Sequence, residues 1–199
     1  MKPSERRIER NKDRILHATL ELFQVHGVKK TTTNDVARKA GVSPATVYNH
    51  FGSKDELVRA VIRYFLASLV SDYSKIFQGN LSFLEKMKQI LLYKSDMLGR
   101  YQGDFMQTVI SEDPEIRRIV DTVYMKDIMP MAINFYDEGK EQGIINPDLS
   151  TENIMRYMMI IRSGMASESV LLGDPEQNRK MMQELAPLLL YGIMGKPEN

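Results

Sequence analysis

The sequence predicts an all-α fold: an N-terminal three-helix helix-turn-helix domain followed by a C-terminal helical bundle, about nine helices in all. Three observations predict it. Apolar residues recur at three- and four-residue spacing along most of the 199 residues, the period of a helix with one buried face. Capping pairs and glycine stops punctuate those stretches at intervals suited to helices. No run alternates with a period of two, and no internal repeat or low-complexity tract is present.

Ile15, Ala18, Thr19, Leu22 and Phe23 mark the inward face of the first helix, with Gly27 as its expected stop. Thr32 and Asp35 stand three apart as an N-cap with an acidic N3 partner. Val36, Ala37 and Ala40 then give a short second helix its inward face, and Gly41 ends it. Ser43 and Pro44 suit the N-cap and N1 of a third helix. That helix has room for only about two turns, far below the ~12–15 residues an isolated helix needs in water. It must be held from behind.

Ser53 and Glu56 form the expected capping box of a long fourth helix, whose apolar stripe runs from Leu57 to Tyr73. Gly79-Asn80 breaks the pattern, and Ser82 with Glu85 caps a fifth helix. A short sixth is expected near Asp104 to Ser111. Asp113-Pro114 opens the seventh, running towards Gly143 with an expected kink at Pro130. Asn146-Pro147-Asp148 is a turn. Two further helices are expected at roughly 150–171 and 175–194, separated by Gly173-Asp174-Pro175.

Composition narrows the function. There are no cysteines, which excludes disulfides, thiolate catalysis and zinc-cysteine sites together. The opening MKPSERRIERNKDR is charged and lacks the apolar core of a signal peptide. No apolar run approaches the ~18 residues of a membrane span, so a cytoplasmic protein without membrane contact is expected. Net charge is +1, but residues 1–54 hold 11 Lys/Arg against 5 Asp/Glu, and the remainder 16 against 21. A basic head on an acidic body points to a polyanion partner for the head alone.

Two short helices joined by a turn at Gly41 match the helix-turn-helix pattern. Val36, Ala37, Ala40, Val42, Val47 and Phe51 form the concealed side. Pro44, Ala45, Thr46, Tyr48, Asn49 and His50 are left outward or at the margin. In such motifs the second helix enters the major groove by its N-terminal residues. Asn49 can bond an adenine edge in two places, and the methyl of Ala45 or Thr46 can touch a thymine methyl. Thr46, Tyr48 and His50 suit phosphate oxygens. Lys54 sits in the first turn of the fourth helix, where a cation opposes the macrodipole unless a phosphate lies there too.

The stretch TTTNDVARKAGVSPATVYNHFGSKDEL, residues 31–57, resembles the N-terminal domain of the TetR family of bacterial transcriptional regulators. The resemblance covers roughly residues 8–60. It implies phosphate contacts at Thr32, Thr46, Tyr48, His50 and Lys54, and base-facing positions at Asn34, Pro44, Ala45 and Asn49. Ala45 departs from the family, where glycine is common, and its methyl limits how closely the helix approaches. The resemblance further implies a DNA-binding domain at 1–53 and a ligand-binding and dimerisation domain at 54–199.

Thirteen of the fourteen methionines follow residue 80, and methionine adapts to irregular apolar space. Ordinary core packing explains them; a plastic pocket for a small apolar or aromatic effector is the functional alternative. Tyr93, Met97, Met106, Tyr124 and Met125 are its candidate lining. In the last two helices, Ser163, Gly164 and Ser167, with Ala186 and Gly192, would let helices approach closely at a two-fold dimer interface. His17 and His26 read as surface or packing residues, and the Glu112, Asp113, Glu115 cluster as capping around Pro114. Nothing resembles a metal site, a catalytic triad or a phosphate loop, so no cofactor and no enzymatic activity are expected.

The expected protein is a ligand-responsive regulator, a repressor, binding a palindromic operator as a homodimer and released by a small effector. A helical adaptor acting without DNA, or an activator, is the alternative.

Overall fold

The computed structural model describes residues 3–101, 104–111, 113–167, 176–177, 179–181, 183–185 and 188. The elements are α1 (Pro3–Lys30), α2 (Thr33–Ala40), α3 (Pro44–Phe51), α4 (Lys54–Gln78), α5 (Phe83–Arg100), α6 (Phe105–Val109), α7 (Pro114–Val123), α8 (Met129–Glu141) and α9 (Thr151–Ser167), with a π-helical turn, Tyr124–Ile128, between α7 and α8. The expected helix over 175–194 falls mostly outside the described residues, as do the Gly173-Asp174-Pro175 separator and Glu112. No helix among the described residues is long and apolar enough to cross a membrane.

The chain forms two compact units. Unit 1 comprises residues 1–69 and 101–120; unit 2 comprises 70–100 and 121–199. The apolar stripe of α4 contributes to unit 1, where Leu57, Val58, Val61, Ile62, Phe65 and Leu66 are all buried.

In unit 1, α2 packs on both α1 and α3. Ile15, Ala18, Thr19 and Phe23 of α1 are buried with Val36, Ala37, Ala40, Val47 and Phe51. Thr19 satisfies its hydroxyl within the helix by donating to the Ile15 carbonyl at 2.6 Å. Phe105 of α6 meets Phe23 at 5.9 Å and stands edge-on to Phe65 at 5.3 Å. Tyr101 stacks on Phe105 at 4.9 Å. Such offset and edge contacts add to the area buried and fix ring orientation.

Gly27 does not end the first helix outright. It breaks it at φ 77°, ψ 172°, after which one helical turn resumes to Lys30. Another correction concerns α4. Glu56 N–H donates to Ser53 Oγ at 3.1 Å, but Ser53 N–H donates to the Phe51 carbonyl at 2.8 Å and the Glu56 carboxylate pairs with Arg59. Half of the expected capping box forms because the arginine competes for the acid. At Ser82 and Glu85 the box is complete, with Glu85 accepting from both the Ser82 amide (2.9 Å) and hydroxyl (2.7 Å), and returning its amide to Ser82 Oγ at 3.4 Å.

In unit 2, Phe83 of α5 stacks on Phe135 of α8 at 4.4 Å. Gly139 permits it: a Cβ there would lie 2.5 Å from the Phe83 ring and 2.9 Å from Ile145. Lys86 is buried and reaches Glu138 at 2.9 Å. The irregularity expected at Pro130 takes the form of the π turn just before it, where Met129 N–H bonds the Tyr124 carbonyl. Proline has no N–H to give and its ring crowds the carbonyl four residues back, so the preceding turn widens.

Candidate nucleic-acid interface

Three short-range features build the head. Thr32 caps α2 through a full box: its amide and hydroxyl donate to Asp35 Oδ2 at 3.1 and 2.5 Å, and Asp35 N–H donates back to Thr32 Oγ1 at 3.2 Å. The Thr32 hydroxyl and then its amide hold the Asp35 carboxyl below the usual carboxylate range, with Arg38 assisting. Gly41 then turns the chain at φ 63°, its N–H reaching Ala37 and Arg38 carbonyls. A side chain there would be strained by the left-handed backbone and would meet Arg14 at 2.7 Å.

Ser43 caps α3, accepting from Thr46 N–H at 3.1 Å, with its hydroxyl 2.8 Å from that of Thr46. Val47 and Phe51 are buried behind it. Pro44, Ala45, Tyr48 and Asn49 are exposed, while Thr46 and His50 are half-buried at the rim. Tyr48 is 61% exposed, a large aromatic with no packing reason to sit there. Asn34 is exposed at the start of α2. Lys54, half-buried, extends its ammonium to the Lys29 carbonyl at 3.4 Å.

The predicted DNA-facing residues are therefore all on one unit, and α3 presents six of them within two turns. Thr46 and Lys54 are engaged by Ser43 and the Lys29 carbonyl, and Thr32 by a carboxylate. The single hydroxyl proton of Thr32 goes to Asp35, so in the free protein this residue serves as a cap.

Sequence reasoning missed Asp104. Its carboxylate accepts from Val28 N–H at 2.5 Å and Lys29 N–H at 3.2 Å. It caps the helical turn after Gly27, the same turn whose Lys29 carbonyl meets Lys54. The 76 residues separating Asp104 from Val28 leave no local signal for this.

The effector candidates are divided. Tyr93, Met97 and Tyr124 are half-buried in unit 2, Met125 there is half exposed, and Met106 belongs to unit 1. Arg162 lies over the Tyr124 ring at 4.2 Å. Among the interface candidates, Ser163 and Gly164 are exposed on α9 beside Tyr157, Met159 and Ile160, the last 69% exposed. The Ser167 side chain, Ala186 and Gly192 lie outside the described residues.

A family profile described as bacterial regulatory proteins, tetR family, matches residues 15–61. The HTH-type transcriptional regulator YvaF of Bacillus subtilis is 39% identical over 140 residues, covering 68% of this chain and 73% of that protein. The chain belongs to the TetR family. It is a helix-turn-helix transcriptional regulator. The HTH-type transcriptional repressor KstR2 of Mycolicibacterium smegmatis is 29% identical over 154 residues, 74% of this chain and 73% of that one. The solved structure of the ketosteroid transcriptional regulator KstR2 of Mycobacterium tuberculosis superposes with a TM-score of 0.58 at 25% identity, over 93% of this chain and 95% of that one. These relatives are named as transcriptional regulators.

Proposed function

We propose that this TetR-family regulator works as a cytoplasmic homodimer that holds a near-palindromic operator and lets go when a small apolar or aromatic molecule binds its body. The carrying observation is the outward face of α3: four exposed side chains on a rod that buries only Val47 and Phe51. In this reading Asn49, Ala45, Pro44 and Asn34 face bases, while Thr46, Tyr48, His50 and Lys54 hold phosphates. Thr32 contributes by fixing the start of α2. Residues 1–53 act as the reading head and 54–199 as the sensing and dimerising body, although α4 gives side chains to both compact units.

The exposed face of α9, with Tyr157 and Ile160 flanked by Ser163 and Gly164, supports a two-fold interface there. A dimer repeats the reading head, so the operator repeats its half-site. Tyr93, Met97, Tyr124 and Met125, all of unit 2, line the effector site in this account. The effector binds the DNA-incompetent arrangement better, since only differential affinity shifts the equilibrium. Selection of bound duplexes from a random pool tests the whole: a palindromic consensus supports it, and recovery of unrelated sequences alone refutes it.

A further inference from the structure

Unit 2 holds a lysine where periodicity calls for an apolar residue. Phe83, Met87 and Ile90 follow one another at four- and three-residue spacing along α5 and are 1%, 6% and 8% exposed. With about 3.6 residues per turn, the next positions on that inward face are Lys94 and Met97. The face is closed at its start and open towards its end, because Lys94 is exposed and Met97 half-buried. Tyr93 is half-buried too, edge-on to Tyr73 of α4 at 5.4 Å, with its hydroxyl donating to Asp72 at 3.1 Å.

An inward lysine with open surface has two explanations. Its stem can lie along apolar side chains while the ammonium reaches bulk water, as long cationic side chains commonly do. An ammonium in bulk water keeps the ordinary lysine pKa. Lys94 does not: surrounding protein strips water from the ammonium and lowers its pKa, and no carboxylate acts to restore it. The second explanation is a cleft. A side chain that water can touch, yet that protein encloses, stands on the wall of one, and Lys94 stands there between Ile90 and Met97.

Charge decides what the cleft takes. Lys94 forms no ion pair or hydrogen bond among the described residues. Acids of α4, α8 and α7 in this unit are committed elsewhere: Asp72 to Lys75 at 2.8 Å, Glu138 to Lys86 at 2.9 Å, and Asp121 to Arg162 at 3.4 Å. A cation shielded from water is costly until a counter-charge meets it. One ammonium balances one negative charge, so a monoanion fits, while a phosphate monoester brings a second charge that nothing matches. Ile90 and Met97 to either side suit an apolar remainder. We propose that Lys94 anchors the effector, and that the effector is an apolar molecule carrying a single carboxylate. This rests on the reading of the body as the effector-binding part.

The test uses the full chain and two matched pairs of probes, 2-naphthoate with 2-naphthamide and octanoate with octanamide. Each pair keeps its shape and differs in charge. Binding is measured by titration calorimetry at neutral pH for the wild type, Lys94→Met and Lys94→Gln. At least one acid should bind the wild type about tenfold tighter than its amide or more, because hydrogen bonds between ionised groups are the strong ones. Both variants should lose that preference while holding the amide as before, a change that general loosening of the core would not produce. Without ligand, Lys94→Met should melt above the wild type, since it removes a charge that has no partner. The inference is overturned if neither acid binds at millimolar concentration, if neither outbinds its amide, if the preference survives in the variants, or if Lys94→Met melts lower. Inorganic phosphate displacing the acid at equal concentration would mark a site for free anions and overturn the proposed class. Operator affinity is followed in parallel. Equal binding of acid and amide, both releasing the operator, removes the lysine anchor but leaves the effector reading standing. Tight binding of the acid through Lys94 with no change in operator affinity removes the effector reading and, with it, the proposal.

Discussion

Asp104 holds Val28. The carboxylate at the start of α6 accepts the Val28 amide at 2.5 Å, and the adjoining Lys29 amide at 3.2 Å. Gly27, immediately before, sits at φ 77° with the carboxylate 2.5 Å from where a Cβ would be. The turn that presents the Lys29 carbonyl to Lys54 is thus fixed by a residue far along the chain. Asp104→Ala leaves two amides without their acceptor and should cost about 1–3 kcal/mol of unfolding free energy. Gly27→Ala should cost a similar amount through strain of ~1–3 kcal/mol. Urea denaturation measures both, and wild-type stability in Asp104→Ala would contradict the capping role.

Lys54→Ala and Asn49→Ala should fail in different ways. Removing a phosphate contact weakens all duplexes alike and lowers the slope of log K against log salt by about 1. Removing a base contact costs about 1–3 kcal/mol at one operator position and relaxes preference there. Anisotropy titrations over a salt series, with operators substituted base by base, separate the two.

The α2 cap carries a pH signature. Hydrogen bonds from Thr32 hold the folded-state Asp35 value below its ordinary one. A depressed carboxylate stabilises above its unfolded value, near 4, and that contribution disappears as pH falls through the lower folded value. Protection factors of the α2 amides, taken relative to the unstructured chain at each pH, should therefore fall on acidification below about 4. Asp35→Asn should show fast exchange already at neutral pH and little further change.

Gly139→Ala should destabilise unit 2, since its methyl would strike the Phe83 ring stacked on Phe135. Overpacking of this kind costs about 1–3 kcal/mol. Thermal melting of the variant measures it, and an unchanged midpoint would mean that the ring pair can move aside.

Much of this was legible in the sequence, and the exceptions share a cause. The caps at Thr32, Ser43 and Ser82 and the turn at Gly41 are local, so residues three apart reveal them. The half-formed box at Ser53 fails because Arg59, one turn further, takes the Glu56 carboxylate. Gly27 reads as a stop because its partner, Asp104, is distant. Pro130 was visible as a disturbance, but whether a helix kinks or widens depends on what surrounds it. The outward face of α3 could be read directly, because periodicity alone assigns its sides.

The interface on α9 is accessible to a single change. Ile160→Glu places a charge in the middle of an exposed apolar face and should convert a dimer to a monomer in sedimentation equilibrium. It should also weaken operator binding, because each head would then bind alone. A variant still dimeric would place the interface elsewhere.

The central claim, that the outward face of α3 with Lys54 grips B-form DNA, is tested most directly by affinity for the selected duplex and for a scrambled one across a salt series. The account predicts a preference of about 10³-fold or more for the selected duplex, with affinity for both falling steeply as salt rises. Equal affinity for the two at every salt concentration would contradict it.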